Sequence, residues 1–209
     1  MGQYYNLVSI AQKKNKRYPD GSYPEKSLRV LVPFDYGDTL KLFEIAYFGG
    51  SFARIVASQA VRTAKNWLPP RMAVIGDYAE IDDAPYELKD DRKIYDEEAV
   101  SMILNRRFWA DRFRYTKGVD RIQDPDKYIA LNHDKKEYVR LGLCETGKWT
   151  RADPLILLLA VGNGRGGGDY DGEYMDDVGA WAFDRIEVIH EREKIPEGYQ
   201  QVYPCFAFE

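Results

Sequence analysis

The chain has 209 residues, of which 44% are hydrophobic and 31% charged, and its formal net charge is −4 at pH 7. This composition is that of a globular domain and excludes a disordered chain, while the acidic balance argues against a protein that works on duplex nucleic acid. The longest apolar run, 154–161, is too short to span a bilayer. We therefore expect a cytoplasmic protein with no membrane and no nucleic acid among its partners.

The first part of the chain predicts a hairpin followed by a short element. Segments 4–10 and 28–34 are rich in β-branched and aromatic residues, as strands are. The polar stretch 13–25 between them contains a Pro-Asp-Gly turn signature and is expected to form the tip of the hairpin. Segment 39–48 then fits either a short helix or a strand.

The clearest predicted helix is 51–67. Ser51 can cap it, apolar residues recur along it at roughly helical spacing, and a Pro-Pro pair is expected to end it. A short buried strand, 72–75, follows. A second helix is expected within 97–112.

The second half of the chain predicts further strands. Segment 128–141 has the pattern of a tight hairpin with a polar turn, and 155–161 fits a buried strand or a short helix. Segment 180–190 alternates like a strand, and 202–208 fits an edge strand. The candidates for the inner face of the 180–190 strand are Trp181, Phe183, Ile186 and Val188.

The predicted strands come in hairpins and the helices are few, which favours an α+β fold over a doubly wound parallel sheet. We expect an antiparallel or mixed β-sheet built from hairpins, with two or more helices packed on one side. Residues 1–209 contain no low-complexity linker, so a single globular domain is expected. The acidic stretch at about 80–96 is the best candidate for an exposed excursion.

The most distinctive segment of the sequence is the glycine-rich segment 162–172, which contains six glycines. Such a run permits positive φ angles and lets several backbone N–H groups point at one ligand. It formally contains G-x-G-x-x-G, but the acids that follow do not begin a helix, which a dinucleotide site needs. We expect a tight loop that is either purely structural or contacts an anion or a nucleotide, with Arg165 as its cation.

The acidic residues allow a further interpretation. Three acids after the glycines, at 169, 171 and 173, are spaced to offer oxygens to Mg²⁺ or Ca²⁺, although no resident cofactor or metal is predicted. Asp35, Asp77 and Asp184 each lie near a strand-like segment and could converge as an acidic pocket. The residues predicted to bind the ligand are Asn163, Gly164, Arg165, Gly166, Gly167, Gly168, Asp169, Asp77 and Asp184.

Other residues that could support chemistry are few. His133 lies in the predicted hairpin turn, where a turn residue is a commoner role than a general base. Basic and aromatic residues interleave over 106–114, which fits an amphipathic helix better than a surface for single-stranded nucleic acid. Cys144 and Cys205 belong to no CxxC pattern, so no zinc or redox site is predicted. No hydrolase or protease motif is present, and whether the protein is an enzyme stays open.

Several motifs together resemble an uncharacterised family of phage and bacterial proteins. They are Met-Gly-Gln-Tyr-Tyr at 1–5, Asp-Tyr-Gly at 35–37, Gly-Asp-Tyr-Ala at 76–79, Asn-His-Asp-Lys-Lys-Glu-Tyr at 132–138, Gly-Asn-Gly-Arg-Gly-Gly-Gly-Asp-Tyr at 162–170, Gly-Ala-Trp-Ala-Phe-Asp at 179–184 and Pro-Glu-Gly-Tyr at 196–199. The resemblance covers most of the chain, and the glycine-rich block is its most specific part. It implies a bacterial cytosol, or the host cytoplasm for a phage protein, and it brings no activity and no catalytic residues.

Two functions are compatible with these features of the sequence. The first is the binding of a small nucleotide-like or phosphorylated ligand by 162–172, with help from Asp77 and Asp184. The second is a phage-type protein-interaction module that binds a host protein. It is suggested by an acidic chain with 16 tyrosines, since tyrosine is a favoured interface anchor.

Overall fold

The structure is a computed structural model, and it describes residues 4–11, 27–31, 42–46, 50–61, 67–76, 122–143, 152–161 and 177–204. The expectations that lie outside these residues are the hairpin tip 13–25, the acidic excursion 80–96, the helix within 97–112 and the basic, aromatic segment 106–114. None of the described helices is long and apolar enough to cross a membrane.

The described elements follow one another as strands and short helices. In chain order they are β1 (Tyr5–Ala11), β2 (Ser27–Leu31), α1 (Leu42–Ile45), α2 (Ser51–Ala60), β3 (Arg71–Gly76), β4 (Tyr128–Asn132), β5 (Glu137–Arg140), α3 (Pro154–Leu158), β6 (Ala160–Val161), β7 (Ile186–His190) and β8 (Gln200–Gln201).

The first sheet has the strand order β2-β1-β3-β6. The predicted amino-terminal hairpin is confirmed, since β1 and β2 are antiparallel with Leu7 opposite Leu31. Strand β3 is antiparallel to β1, whereas β6 is parallel to β3 with Val74 opposite Ala160. Every residue of β3 is buried, which suits its largely apolar sequence.

The second sheet has the strand order β7-β4-β5-β8. Strands β4 and β5 form the predicted tight hairpin, with Asn132 opposite Glu137 next to the turn. Strand β7 is antiparallel to β4, and β8 is parallel to β5. Both sheets are therefore mixed, and together with the helices they give the α+β fold that the sequence predicts.

One apolar cluster draws on both sheets and on the helices. Leu7 and Val74 belong to it from the first sheet, and Ala130 and Val188 from the second. Helix α2 contributes an apolar face that includes Phe52, and it packs against β7 and α3. Because burial of apolar surface is the main stabilising term in folding, this shared cluster holds the two sheets together.

Helix α2 is shorter than the predicted helix 51–67. It ends at Ala60, because Val61 takes an extended conformation and forms a parallel bridge with Val188 of β7. The prediction that Ser51 caps the helix is also wrong, since Gly50 occupies the cap position and no side chain donates or accepts there. The helical pattern of the sequence continues beyond Ala60, but the backbone leaves the helix there to pair with β7.

Two segments for which the sequence allowed either a helix or a strand are 39–48 and 155–161. Segment 39–48 contains α1, and 155–161 contains most of α3 followed by β6. Asp153 caps α3, since its Oδ1 accepts hydrogen bonds from the backbone N–H groups of Leu155 at 2.9 Å and Ile156 at 3.3 Å. Pro154 follows at the first helical position, where a missing N–H costs nothing.

The predicted strand 180–190 forms only in its second half. Strand β7 begins at Ile186, which lies in the core with Val188 as predicted. The preceding residues form turns in which Phe183 has a φ of 64°. This course lets the N–H of Phe183 bond to the carbonyl of Met72 at 2.6 Å, next to the start of β3. The described part of 202–208 forms no strand, and β8 is the edge strand instead.

Candidate functional site

The first candidate location is the β3–β6 edge, defined by the last residues of β3 and β6, Gly76 and Val161. Ile75 lies opposite Val161 in parallel register, so strands β3 and β6 end at the same edge of the sheet. From there the sequence continues directly into Asp77 and into the glycine-rich segment 162–172. Ligands of open sheets bind beyond the carboxyl ends of parallel strands, and this edge is such a place.

After the glycine-rich segment the described residues resume at position 177, and they contact the end of α3 and the start of β6. The N–H of Gly179 donates to the carbonyl of Leu157 at 2.9 Å, and that of Trp181 donates to the carbonyl of Leu158 at 2.8 Å. Gly179 has a φ of 79°, and a Cβ there would collide with the carbonyl oxygen of Ala160. Glycine is therefore required at this position, next to the first residue of β6.

Most of the predicted ligand-binding residues lie outside the described part of the chain. They are Asn163, Gly164, Arg165, Gly166, Gly167, Gly168, Asp169 and Asp77. Asp35 of the predicted acidic pocket and the acids at 171 and 173 of the predicted cation site also lie outside it.

Asp184 is described, and it lies away from the β3–β6 edge. Its carbonyl accepts a hydrogen bond from the N–H of Met72 at 3.2 Å, near the amino end of β3. The strand from Met72 to Gly76 spans roughly 13 Å. The structure therefore does not bring Asp184 to the end of β3 from which the chain continues into Asp77.

The second candidate location is a group of polar side chains at the β4–β5 turn, which we call the turn cluster. Its members are Arg71, Asn132, His133, Asp134, Asp184, Glu187 and Tyr199. Fully buried Asn132 organises the turn, since its Oδ1 accepts from the N–H groups of Asp134 and Lys135, each at 3.0 Å. Its Nδ2 donates to Oδ2 of Asp184 at 2.7 Å. The side chain of Asn132 thus stabilises the turn that follows it, and His133 is a turn residue, as predicted.

The carboxyl group of Asp184 has a pKa well above the usual value for aspartic acid. Burial raises its pKa to about 6, because the charged form is poorly solvated, and the neighbouring carboxylate of Asp134 acts in the same direction. The hydrogen bond from Asn132 opposes the rise. Asp184 is therefore a proton-binding group within the turn cluster.

Arg71 connects the two sheets at the turn cluster. Its Nη1 donates to Oδ2 of Asp134 at 2.7 Å and to the carbonyl of Phe183 at 2.8 Å. The side chain of Arg71 is 6% exposed and that of Asp134 is 23% exposed. Asp134 also accepts from the N–H of Arg185 at 3.1 Å. Since a buried guanidinium is tolerated only when it is paired, this ion pair ties the start of β3 to the turn of the second sheet.

A chain of three side chains, which we call the relay, completes the turn cluster. Nε2 of His133 lies 2.9 Å from Oε2 of Glu187, and Nδ1 lies 2.7 Å from the hydroxyl oxygen of Tyr199. Glu187 is only 2% exposed. When Glu187 is ionised and the imidazole carries one proton, Nε2 donates to Glu187 and Nδ1 accepts from the Tyr199 hydroxyl. Both ring nitrogens are therefore fixed in orientation.

The sequence interpretation of His133 included neither of its partners. Glu187 stands between the apolar residues Ile186 and Val188 of β7, and a carboxylate at such a position is a signal for a buried polar partner. Tyr199 gave no comparable signal, because it follows a polar stretch and lies 66 positions from His133. Among the described residues, no group of three or more His, Cys, Asp and Glu side chains is placed to hold a metal ion.

Comparison with known proteins identifies no relative of this chain. No family model matches it, and neither a curated protein nor a solved structure matches it significantly. The inference of function therefore depends on the chemistry of the β3–β6 edge and of the turn cluster.

Proposed function

We propose that the protein binds a small nucleotide-like or phosphorylated ligand at the β3–β6 edge. The observation that supports this most directly is the parallel pairing of β3 with β6, in which Ile75 lies opposite Val161. This pairing makes Asp77 and the segment 162–172 continue from neighbouring strand ends. Beyond the carboxyl ends of parallel strands, backbone donors and side chains from consecutive loops can reach one ligand.

The residue types of the segment suit a phosphate. Glycines let consecutive N–H groups converge on an anion, and the guanidinium of Arg165 offers two parallel donors to phosphate oxygens. The carboxylates of Asp169 and Asp77 would hold the hydroxyls of a ribose or a Mg²⁺ ion that bridges phosphates. Asp184 takes no part in the proposed site, because it lies near the amino end of β3.

A panel of nucleoside mono-, di- and triphosphates, with and without Mg²⁺, tests the proposal by thermal unfolding. A ligand present at about 100 times its Kd raises the free energy of unfolding by about 2.7 kcal/mol, which corresponds to several degrees in Tm for a chain of this size. The variant Arg165→Ala should lose most of this shift. The variant Arg192→Ala, which removes an exposed arginine far along the chain, should keep it.

Two results would contradict ligand binding at this edge. One is a wild-type protein whose Tm is unchanged by every member of the panel. The other is a shift that Arg165→Ala and Arg192→Ala retain equally. Either result would favour the protein-interaction hypothesis instead, for which the exposed ring of Tyr203 is the most accessible anchor in the described residues.

A further inference from the structure

The relay of Tyr199, His133 and Glu187 lies in the turn cluster and plays no part in the proposed ligand site. We propose that it is a group-transfer site in which the Tyr199 hydroxyl attacks the carbonyl carbon of a neutral carboxylic ester. His133 would act as the general base, and Glu187 would position the imidazole. This site is independent of the β3–β6 edge, and either can exist without the other.

The geometry of the relay is that of an activated nucleophile. A hydroxyl is activated when a base lies within about 2.6–3.2 Å of it and a third group orients that base. Here the two distances are 2.7 Å from Tyr199 to His133 and 2.9 Å from His133 to Glu187. The three residues come from the β4–β5 turn, from β7 and from the chain before β8. Their meeting is a product of tertiary structure and not of local turn formation.

The burial of the relay suits a reaction at its outer end. Glu187 is buried, whereas Tyr199 is half-buried and the side chain of His133 is 23% exposed. The outer two residues of the relay are therefore partly open to solvent, while the carboxylate that orients the base stays away from water. The ring of Tyr199 packs on a buried apolar cluster of Ile129, Leu131 and Ile189, which fixes the position of the phenol.

The charges around Tyr199 restrict both the mechanism and the substrate. Burial raises the pKa of its hydroxyl, and the carboxylates of Glu187 and Asp134 raise it further. The phenolate is therefore scarce at neutral pH, so that fast reaction requires proton removal by His133 during attack. The same negative surroundings repel a phosphate and favour an uncharged ester as the electrophile.

The step balances without any added oxidant, reductant or metal. The phenol oxygen of Tyr199 forms a bond to the acyl carbon, and the bond from that carbon to the alcohol oxygen of the ester breaks. The phenol proton moves to Nδ1 of His133, and the resulting imidazolium is stabilised by the carboxylate of Glu187. The leaving oxygen belongs to an ester whose hydroxyl component is more acidic than the phenol of Tyr199; it departs and takes a proton from the imidazolium or from water, and Tyr199 carries the acyl group.

Labelling with p-nitrophenyl acetate tests the proposal on the wild-type protein. Release of p-nitrophenolate gives the rate, and mass spectrometry of peptides locates the acetyl group. Tyr203 is the control within the same chain, because it is 75% exposed and lies outside the relay. General-base assistance contributes about 100-fold or more, so Tyr199 should be acetylated about 100 times faster than Tyr203 despite its lower exposure.

Variants separate activation from mere exposure. Replacing the base by His133→Gln should bring the rate at Tyr199 down to within about threefold of the rate at Tyr203. Glu187→Gln should lower the rate at Tyr199 by roughly tenfold or more. The conservative variant Glu187→Asp, which keeps the carboxylate, should be faster than Glu187→Gln, whereas the two variants should react alike if Glu187 has only a structural role. Tyr199→Phe should leave the response to the nucleotide panel unchanged. The proposal is overturned if wild-type Tyr199 reacts no faster than Tyr203, or if the His133 variant labels Tyr199 at the wild-type rate.

Discussion

Asp153 caps a helix from a buried position, where its negative charge is poorly solvated. Its side chain caps α3 with two hydrogen bonds from backbone N–H groups, and such bonds favour the ionised form. Its complete burial acts in the opposite direction and is the larger effect, so the pKa of Asp153 rises to about 7. The folded protein therefore holds a proton at this residue more tightly than the unfolded chain does.

The variant Asp153→Asn should change how stability depends on pH. A raised folded pKa means that ionisation opposes folding, so the wild-type free energy of unfolding falls as pH rises from about 4 to about 7. Asparagine keeps the capping oxygen and cannot ionise. The stability of the variant relative to wild type should therefore increase by up to about 1.4 kcal/mol per pH unit across this window, as measured by urea unfolding.

Asp124 provides the matched control for that experiment. Its side chain is about half exposed and lies 2.7 Å from Nζ of Lys127, and this contact lowers its pKa. Its contribution to stability is present above its unfolded pKa and is lost as pH falls, which is opposite in sign to that of Asp153. A pH profile of Asp124→Asn that matched the profile of Asp153→Asn would show that burial is not the cause.

At the scale of an element, the β4–β5 turn combines a common turn sequence with an unusual backbone. Asn132 supplies the acceptor that closes the turn, and Lys136 adopts a φ of 57°, a left-handed conformation that is uncommon for a residue with a side chain. The turn holds its shape because Asn132 is buried and bonded on both sides of its amide. This shape directs His133 to Glu187 and Tyr199, and Asp134 to Arg71.

Asn132→Ala should destabilise the protein by about 2–4 kcal/mol. The change removes the acceptor for two backbone N–H groups and the donor to Asp184, and a buried polar group left without its partner carries the full desolvation cost. Urea unfolding measures the effect. The exposed substitution Glu197→Ala, which removes a surface contact to Lys194, should stay within about 0.5 kcal/mol of wild type. A loss below about 1 kcal/mol for Asn132→Ala would show that the turn is held by other contacts.

At the scale of the whole molecule, the two sheets meet through hydrogen bonds as well as through the apolar cluster. The N–H of Ile186, where β7 begins, donates to the carbonyl of Pro70 at 2.9 Å, and Arg71 forms an antiparallel bridge with Arg185. The ion pair of Arg71 with Asp134 crosses the same junction. The junction therefore positions the turn cluster relative to the first sheet.

A double-mutant cycle should reveal this coupling between the sheets. Arg71→Met should cost about 2–4 kcal/mol, because it removes the guanidinium that pairs with Asp134 and the donor to the buried carbonyl of Phe183. Combined with Asp134→Asn, the loss should be smaller than the sum of the two single losses by about 1–3 kcal/mol. Additive losses would mean that the pair does not connect the sheets energetically.

The sequence by itself determined the local elements. Strand-like segments separated by polar turn residues predicted the β1–β2 and β4–β5 hairpins, and the pairing registers confirm both. Helical spacing predicted α2 but misplaced its end, because Val61 leaves the helix to pair with Val188. Such a competition between a local preference and a distant strand is invisible in the spacing of residues.

Only the tertiary structure decided which polar groups share a site. Asp77 and Asp184 have similar sequence settings, yet β3 separates the neighbourhood of Asp184 from the strand end that precedes Asp77. The sequence also could not pair His133 with Glu187 and Tyr199, which come from other elements and lie 54 and 66 positions away. The physical reason is that periodicity reports which face of an element is buried, whereas the contacts between polar side chains depend on how separate elements cross.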